Sequence, residues 1–271
     1  ALQSDVPVCV MCRMPTCLVH SLPYQADPAV YFQQVRQAPG AVLLDAGRPA
    51  AARGRYDLLS AWPVQTLTPQ LDEPAATFFQ RLRKALARLG DAELPVGTEL
   101  PFAGGLLGYL AYDFARRVEK LPEQASDDLG LGDAAFGVYA WALISDHQAQ
   151  TSQLVFHPSL DGDEQHRLLA LFQRPAAADV SGEGCFALLE PFQANIDAPE
   201  YASAIAKIHA YIAAGDCYQV NFAQRFQAPY TGEPWQAYCA LRAACPTPFS
   251  GYLTLPGGGA VLSLSPERFI R

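Results

Sequence analysis

The residues best suited to chemistry lie in two segments where polar side chains interrupt apolar, strand-like sequence. These segments are residues 215–226 and residues 263–269. In the second segment, Glu267 directly follows a proline and has apolar neighbours, so we expect a partly buried carboxyl group with a raised pKa. Such a group suits general acid–base catalysis. The alternative is an ordinary ion pair with Arg268 or Arg225, which is the common state of charged side chains at strand ends.

Other signals of metal or nucleotide binding are weak. The five histidines are scattered without the spacing of a paired metal site, and Cys9 and Cys12 form a single CxxC. A structural zinc site normally needs a second ligand pair, so no metal ligand is assigned. The glycines of residues 101–108 do not follow the strand, GxGxxG and helix order of a dinucleotide site. We expect them to permit close backbone packing or a bulge.

Short strands alternate with helices of medium length along the chain. The predicted helices are one that starts at Asp27, residues 74–89, residues 161–172, one from the Asp197–Glu200 capping box to Gly215, and residues 234–244. The predicted strands are residues 40–44, 55–62, 136–145, 152–156, 218–222, 249–255 and 260–265. Hairpins mixed with single helices indicate an α+β fold with largely antiparallel sheets.

The composition shifts at one point within the chain. Residues 175–184 are rich in Pro, Ala, Asp, Ser and Gly and show no period, so we expect a linker there. Residues 14–174 would form a first region and residues 185–271 the start of a second. Residues 1–13 lack a clear pattern and are expected to be a non-native or disordered leader. Because the sequence stops within a strand-like segment, we expect the second region to be incomplete.

Composition excludes several classes of protein. The formal net charge is −8, which argues against binding to the phosphate backbone of nucleic acids. Half of the residues are hydrophobic and 17% are charged, which is typical of a folded chain rather than a disordered one. No apolar run reaches the roughly 18–20 residues that a membrane-spanning helix needs. We therefore expect a cytoplasmic protein with no membrane partner.

Both polar segments closely resemble motifs of the chorismate-binding enzymes. Residues 43–47, 55–57 and 101–113 also resemble the N-terminal region that component I of anthranilate synthase shares with component I of aminodeoxychorismate synthase. The resemblance runs from about residue 14 to residue 271. It implies an α/β/β/α sandwich, in which two packed and largely antiparallel sheets have helices outside.

Within the family, Cys217, Tyr218, Asn221 and residues 248–252 resemble the aminodeoxychorismate synthases. This branch implies amination of chorismate to 4-amino-4-deoxychorismate for the synthesis of para-aminobenzoate and folate. The ammonia would come from a glutamine amidotransferase (glutaminase) subunit. One alternative is the anthranilate synthase branch, which serves tryptophan synthesis. Another is a non-catalytic module that binds an aromatic amino acid.

The resemblance also implies roles for individual residues. The family glutamate that matches Glu267 is the acid–base residue. Family members use Mg²⁺, and its carboxylate ligands and the lysine nucleophile come after the segment that matches residues 263–269. We expect them beyond Arg271, so residues 1–271 alone are expected to be inactive.

A second site is implied by relatives that hold a tryptophan molecule. The matching positions are Leu44, Ala46, Arg55, Tyr56, Asp57, Pro248, Phe249 and Ser250. Ala46 replaces a serine that is often found there and whose hydroxyl could hold the ligand's ammonium group. Asp57 could still hold that group. The alternative is a core filled by side chains that needs no ligand.

Overall fold

The computed structural model describes residues 14–51, 53–122, 127, 129–173 and 186–270. The predicted leader, the predicted linker and the single CxxC lie outside these residues. The chain divides into two compact units, Ala1–Ala178 with Tyr238–Arg271, and Asp179–Ala237. The final hairpin therefore belongs to the first unit, and the domain boundaries given above stay a prediction.

The described strands and helices follow the predicted alternation. The strands are β1 (Leu18–Leu22), β2 (Val42–Asp45), β3 (Tyr56–Ser60), β4 (Gln65–Leu67), β5 (Gly105–Leu110), β6 (Ala134–Tyr139), β7 (Trp141–Asp146), β8 (Thr151–Phe156), β9 (Ala187–Leu188), β10 (Gln193–Ala194), β11 (Phe226–Gln227), β12 (Tyr230–Thr231), β13 (Phe249–Thr254) and β14 (Ala260–Ser265). The α-helices are α1 (Ala29–Phe32), α2 (Ala75–Leu89), α3 (Gly162–Gln173), α4 (Ala198–Ala214) and α5 (Pro234–Ala244), and a 3-10 helix covers Tyr112–Arg117.

Two antiparallel sheets form the framework of the first unit. The larger sheet has seven strands in the order β1-β8-β7-β3-β2-β13-β14, and the smaller has three in the order β4-β6-β5. In the larger sheet, Leu44 of β2 lies opposite Leu58 of β3 on one side and Gly251 of β13 on the other. Strand β2 is therefore fixed between β3 and β13.

Alternation along β5 shows how the two sheets pack. Leu107 packs against a cluster that includes Leu58 and Ile144 of the larger sheet. Its neighbour Leu106 packs against the cluster that contains Phe78 of α2. Because successive side chains of a strand point to opposite faces, the smaller sheet lies between α2 and the larger sheet.

The other face of the larger sheet is covered by helices. The ring of Phe32 in α1 lies 5.7 Å from that of Tyr252 in β13. The ring of Phe172 in α3 lies 5.8 Å from that of Trp141 in β7. The layers are thus helix, sheet, sheet and helix, and the predicted α+β sandwich is confirmed.

Local signals set the ends of α4 in the second unit. The side chain of Asp197 accepts from the Glu200 amide at 2.8 Å, and Gly215 ends the helix with φ 81°. An N-cap carboxylate and a left-handed C-terminal glycine satisfy backbone groups that the helix leaves open. The predicted limits of this helix are confirmed.

Two predicted strands are wrong. Residues 218–222 form no ladder, and Tyr218 is 97% exposed. These residues alternate in polarity, but no described strand lies beside them to form a ladder. The single strand predicted for residues 136–145 is two strands, because β6 and β7 belong to different sheets and separate at Ala140. The hairpins β7–β8 and β13–β14 are confirmed.

Candidate functional site

Three neighbouring strands bring the tryptophan-pocket residues together. Leu44 and Ala46 lie at the end of β2, Arg55–Asp57 span the start of β3, and Pro248–Ser250 span the start of β13. Ser250 lies opposite Asp45 in the ladder between β13 and β2. Residues that are about 200 positions apart in sequence therefore meet at one end of the larger sheet.

The pocket residues divide between the two faces of this sheet. Leu44, Tyr56 and Phe249 share the face that points toward the smaller sheet, as the ladder register and strand alternation require. Leu44 is 41% exposed and Phe249 is 37% exposed, so this face is open here. The guanidinium carbon of Arg268 lies 5.2 Å from the centre of the Phe249 ring. The face offers apolar contact beside a cation.

Asp57 and Ser250 lie on the opposite, buried face. Asp57 is 2% exposed, and its Oδ1 accepts from the Ala46 amide at 2.7 Å. Its Oδ2 lies 2.6 Å from Nε2 of His147. Burial raises the pKa of Asp57, and its hydrogen bond with His147 opposes that rise. Since both oxygens already have a hydrogen-bond partner, an incoming ammonium group would have to share them.

Ser250 and Arg55 also have partners. The Ser250 hydroxyl donates to the Thr247 carbonyl oxygen at 3.2 Å, and the two hydroxyl oxygens are 2.6 Å apart. Arg55 donates to Asp146 at 2.9 Å, while its side chain stays 42% exposed. These contacts hold Arg55 at the edge of the site and Ser250 within the core.

Residues 45–48, called the pocket turn below, are held by buried charges. Asp45 Oδ1 accepts from the Gly47 amide at 2.6 Å, and Asp45 Oδ2 accepts from Tyr238 OH at 2.9 Å and from Arg242 Nε at 2.8 Å. Arg242 also donates to the Arg48 carbonyl at 2.9 Å and to Asp27 at 2.7 Å. These contacts tie α5 to the pocket turn.

Sequence reasoning missed Asp45, Tyr238, Arg242 and His147. Asp45 lies within residues 43–47, one of the segments that resemble the chorismate-binding enzymes, but its contacts with α5 are not local. Its partner Arg242 is 197 positions away, so no spacing rule connects the two. An Asp at the end of an apolar strand was the available signal, because buried carboxylates need donors.

The expectation of a partly buried Glu267 is wrong for this structure. Glu267 is exposed and follows the edge strand β14. Its backbone amide donates to Ser265 Oγ at 3.2 Å, and Ser265 Oγ donates to the Glu267 carbonyl oxygen at 2.8 Å. No described residue forms an ion pair with its carboxylate, which also argues against the simple pairing with Arg268 or Arg225. The described residues beyond β14 supply no strand to bury it.

A separate cavity of about 350 Å³ lies between the two sheets. Its walls include Val42, Leu253, Tyr109 and Tyr139, and no lining side chain is charged. A dianionic substrate such as chorismate would lose its hydration there without gaining a cation. This cavity contains none of the predicted site residues.

The described residues do not provide a magnesium site. Within the described ranges, no group of three or more His, Cys, Asp or Glu side chains is placed to hold a metal ion. Mg²⁺ in proteins takes carboxylate and water oxygens. The described part of this chain therefore does not fit that ion.

The family follows from a match over most of the chain. The family model described as chorismate binding enzyme matches residues 30–271. The chain belongs to this family. The resemblance drawn from residues 215–226 and 263–269 is thereby confirmed.

Curated relatives agree with the predicted branch. The chain is 39% identical over 267 residues to aminodeoxychorismate synthase component 1 of Salmonella typhimurium, covering 93% of this chain and 56% of that protein. Identity to the same component of Escherichia coli K12 is 38%, again with 93% and 56% coverage. Anthranilate synthase component 1 of Thermus thermophilus is 35% identical, with 73% and 42% coverage. The chain thus spans about 56% of the length of the first two relatives.

Solved structures agree with the fold. Anthranilate synthase component I from Streptococcus pneumoniae TIGR4 superposes with a TM-score of 0.61 and 22% identity, covering 80% of this chain and 51% of that one. The menaquinone-specific isochorismate synthase MenF from Escherichia coli gives a TM-score of 0.51, 12% identity, and coverage of 94% and 51%. At these identities the likeness supports the fold alone. No described helix has both the length and the apolar content needed to span a membrane.

Proposed function

We propose that the complete protein containing this chain aminates chorismate to 4-amino-4-deoxychorismate. One observation carries the proposal: identities of 38–39% extend over 93% of the chain to aminodeoxychorismate synthase component 1. Anthranilate synthase component 1 is less similar, with 35% identity over 73% of this chain in Thermus thermophilus and 27% identity over 90% in Geobacillus stearothermophilus. The word component in these names supports a second subunit, and we propose a glutaminase that supplies ammonia.

The proposed role of Glu267 follows from the leaving group. Amination at the ring position replaces a hydroxyl, and hydroxide departs poorly unless a positioned acid protonates it. Glu267 lies just after β14, one strand away from the residues around Phe249. We propose that its carboxyl group donates this proton, and that the cofactor Mg²⁺ and a lysine nucleophile are held by residues outside the described chain.

A product assay tests this function. The complete protein is incubated with chorismate, Mg²⁺ and an ammonium salt, and the products are separated by chromatography. We expect 4-amino-4-deoxychorismate. With glutamine as the nitrogen source, we expect product only when the glutaminase subunit is added. Anthranilate and pyruvate as the sole products would instead establish the anthranilate synthase alternative.

We also propose that the end of β2, β3 and β13 binds an aromatic amino acid such as tryptophan. The support is the open face of Leu44, Tyr56 and Phe249 beside the buried pocket turn. Isothermal titration of the complete protein with tryptophan tests it. Phe249→Ala should weaken binding by roughly tenfold, since a buried aromatic contact contributes about 1 kcal/mol or more. Phe269→Ala, at a residue 91% exposed, is the control and should leave affinity unchanged.

A further inference from the structure

A continuous chain of buried hydrogen bonds runs behind the pocket turn. The Ala46 amide donates to Asp57 Oδ1 over 2.7 Å, and Asp57 Oδ2 lies 2.6 Å from His147 Nε2. Nδ1 of His147 lies 2.8 Å from the hydroxyl oxygen of Tyr24. The side chains of His147 and Asp57 are 2% and 3% exposed, so water cannot readily replace a lost partner.

The chemistry of these groups assigns the proton positions. When Asp57 is ionised its carboxylate only accepts, so Nε2 of His147 then carries the proton that points to Asp57. On the other side of the ring, Nδ1 lies 2.8 Å from the hydroxyl oxygen of Tyr24, a group that can donate to it. The tautomer of a buried histidine is set by the hydrogen bonds of its two nitrogens. The two contacts therefore match the Nε2–H form of His147 beside an ionised Asp57.

The arginines nearby bond to other carboxylates. Arg242 of α5 pairs with Asp45 and Asp27, and Arg55 pairs with Asp146. Among the described residues, His147 is the one side chain that forms a hydrogen bond with Asp57. The charged and titratable groups around Asp57 are Asp45 on β2, Tyr238 and Arg242 on α5, His147 and Asp146 at the β7–β8 turn, Arg55 before β3 and Tyr24 after β1.

We propose that His147 is a positioning residue for the aromatic amino-acid pocket. Its Nε2–H fixes the carboxylate of Asp57, which in turn fixes the Ala46 amide and the pocket turn. This inference rests on the proposed binding of an aromatic amino acid. His147 touches no ligand itself, and it acts only through Asp57.

The sign of the pH dependence follows from the surroundings of Asp57. Burial raises the pKa of this carboxyl group, the negative charge of Asp45 raises it further, and the hydrogen bond from His147 lowers it. The ionised form holds the pocket turn, so ligand affinity should fall as pH falls through the pKa of Asp57. Loss of the His147 donor should move that fall to higher pH.

The experiment compares His147→Leu with His147→Gln in the complete protein. Leucine removes the donor, whereas the glutamine amide can place an N–H near the position of Nε2. Tryptophan affinity is measured by isothermal titration from about pH 5 to about pH 8. We expect His147→Leu to weaken binding roughly tenfold or more and to shift the pH midpoint upward. His147→Gln should keep the tryptophan affinity and the pH midpoint near those of the unmodified protein. His209→Gln, at an exposed position on α4, is the control and should change neither.

Each outcome has a distinct meaning. If the unmodified protein binds no tryptophan, the proposed pocket fails. If it binds tryptophan but His147→Leu keeps the affinity and the pH midpoint, the positioning role of His147 fails. Should His147→Leu not fold, nitrogen-15 NMR of the histidine-labelled unmodified protein decides. The signal of His147 is the one that disappears in His147→Gln. If that signal shows an Nδ1–H ring, the inference is overturned, because Nε2 could not donate to Asp57.

Discussion

At the scale of single residues, Glu267 gives the sharpest test of catalysis. Glu267→Gln in the complete protein keeps the shape of the side chain and removes the proton that would reach the departing hydroxyl. General acid assistance contributes about 10²–10⁴-fold, so kcat should fall by that order. Because Glu267 is exposed and has no ion pair with the described residues, the melting temperature should hardly change. Steady-state kinetics and thermal unfolding measure the two effects.

Glu119→Gln is the matched control, since Glu119 is also an exposed glutamate of the first unit. It should leave kcat unchanged. Retained turnover in Glu267→Gln would contradict the acid role. The motif around Glu267 could be identified from sequence because its residues are contiguous. The partners of Asp45 could not, because Tyr238 and Arg242 lie 193 and 197 positions away from it in sequence.

At the scale of elements, Gly108 of β5 tests the packing of the smaller sheet. A Cβ atom added there would collide with the Ala135 carbonyl oxygen and lie 2.7 Å from Phe136 Cα, both on the paired strand β6. Backbone atoms cannot move aside as a flexible side chain can. Gly108→Ala should therefore lower the free energy of unfolding by about 1–3 kcal/mol. Chemical denaturation monitored by circular dichroism measures the loss.

Gly132→Ala is the control for this change, because the nearest atom to its added Cβ is 3.9 Å away. Equal stability of the two variants would contradict the close approach of β5 and β6. The expectation that glycines of residues 101–108 permit close packing is confirmed at Gly108. Helix limits and hairpins were predictable because caps and turns are local, as Asp197 and Gly215 show. The strand predicted at residues 218–222 was wrong because pairing depends on a distant neighbour.

At the scale of the whole molecule, the layer order depends on pairings that no local pattern specifies. Strand β13 joins β2 across about 200 residues, and β6 and β7 are consecutive in sequence yet lie in different sheets. Alternating polarity predicted that antiparallel sheets exist but not which strands adjoin. The resemblance to the chorismate-binding enzymes supplied the sandwich, and the register then placed the pocket residues on three adjacent strands.

This placement separates binding from turnover in the chain of 271 residues. All the proposed pocket residues and His147 lie within the described residues of the first unit, whereas the proposed lysine and Mg²⁺ ligands do not. Expressed alone, residues 1–271 should bind tryptophan by isothermal titration yet form no 4-amino-4-deoxychorismate from chorismate and ammonia. The complete protein should do both. Product formation by residues 1–271 alone would contradict the proposal that the lysine nucleophile and the Mg²⁺ ligands lie outside the described residues. Loss of tryptophan binding in a chain that folds, checked by circular dichroism, would show that the pocket needs residues outside this sequence.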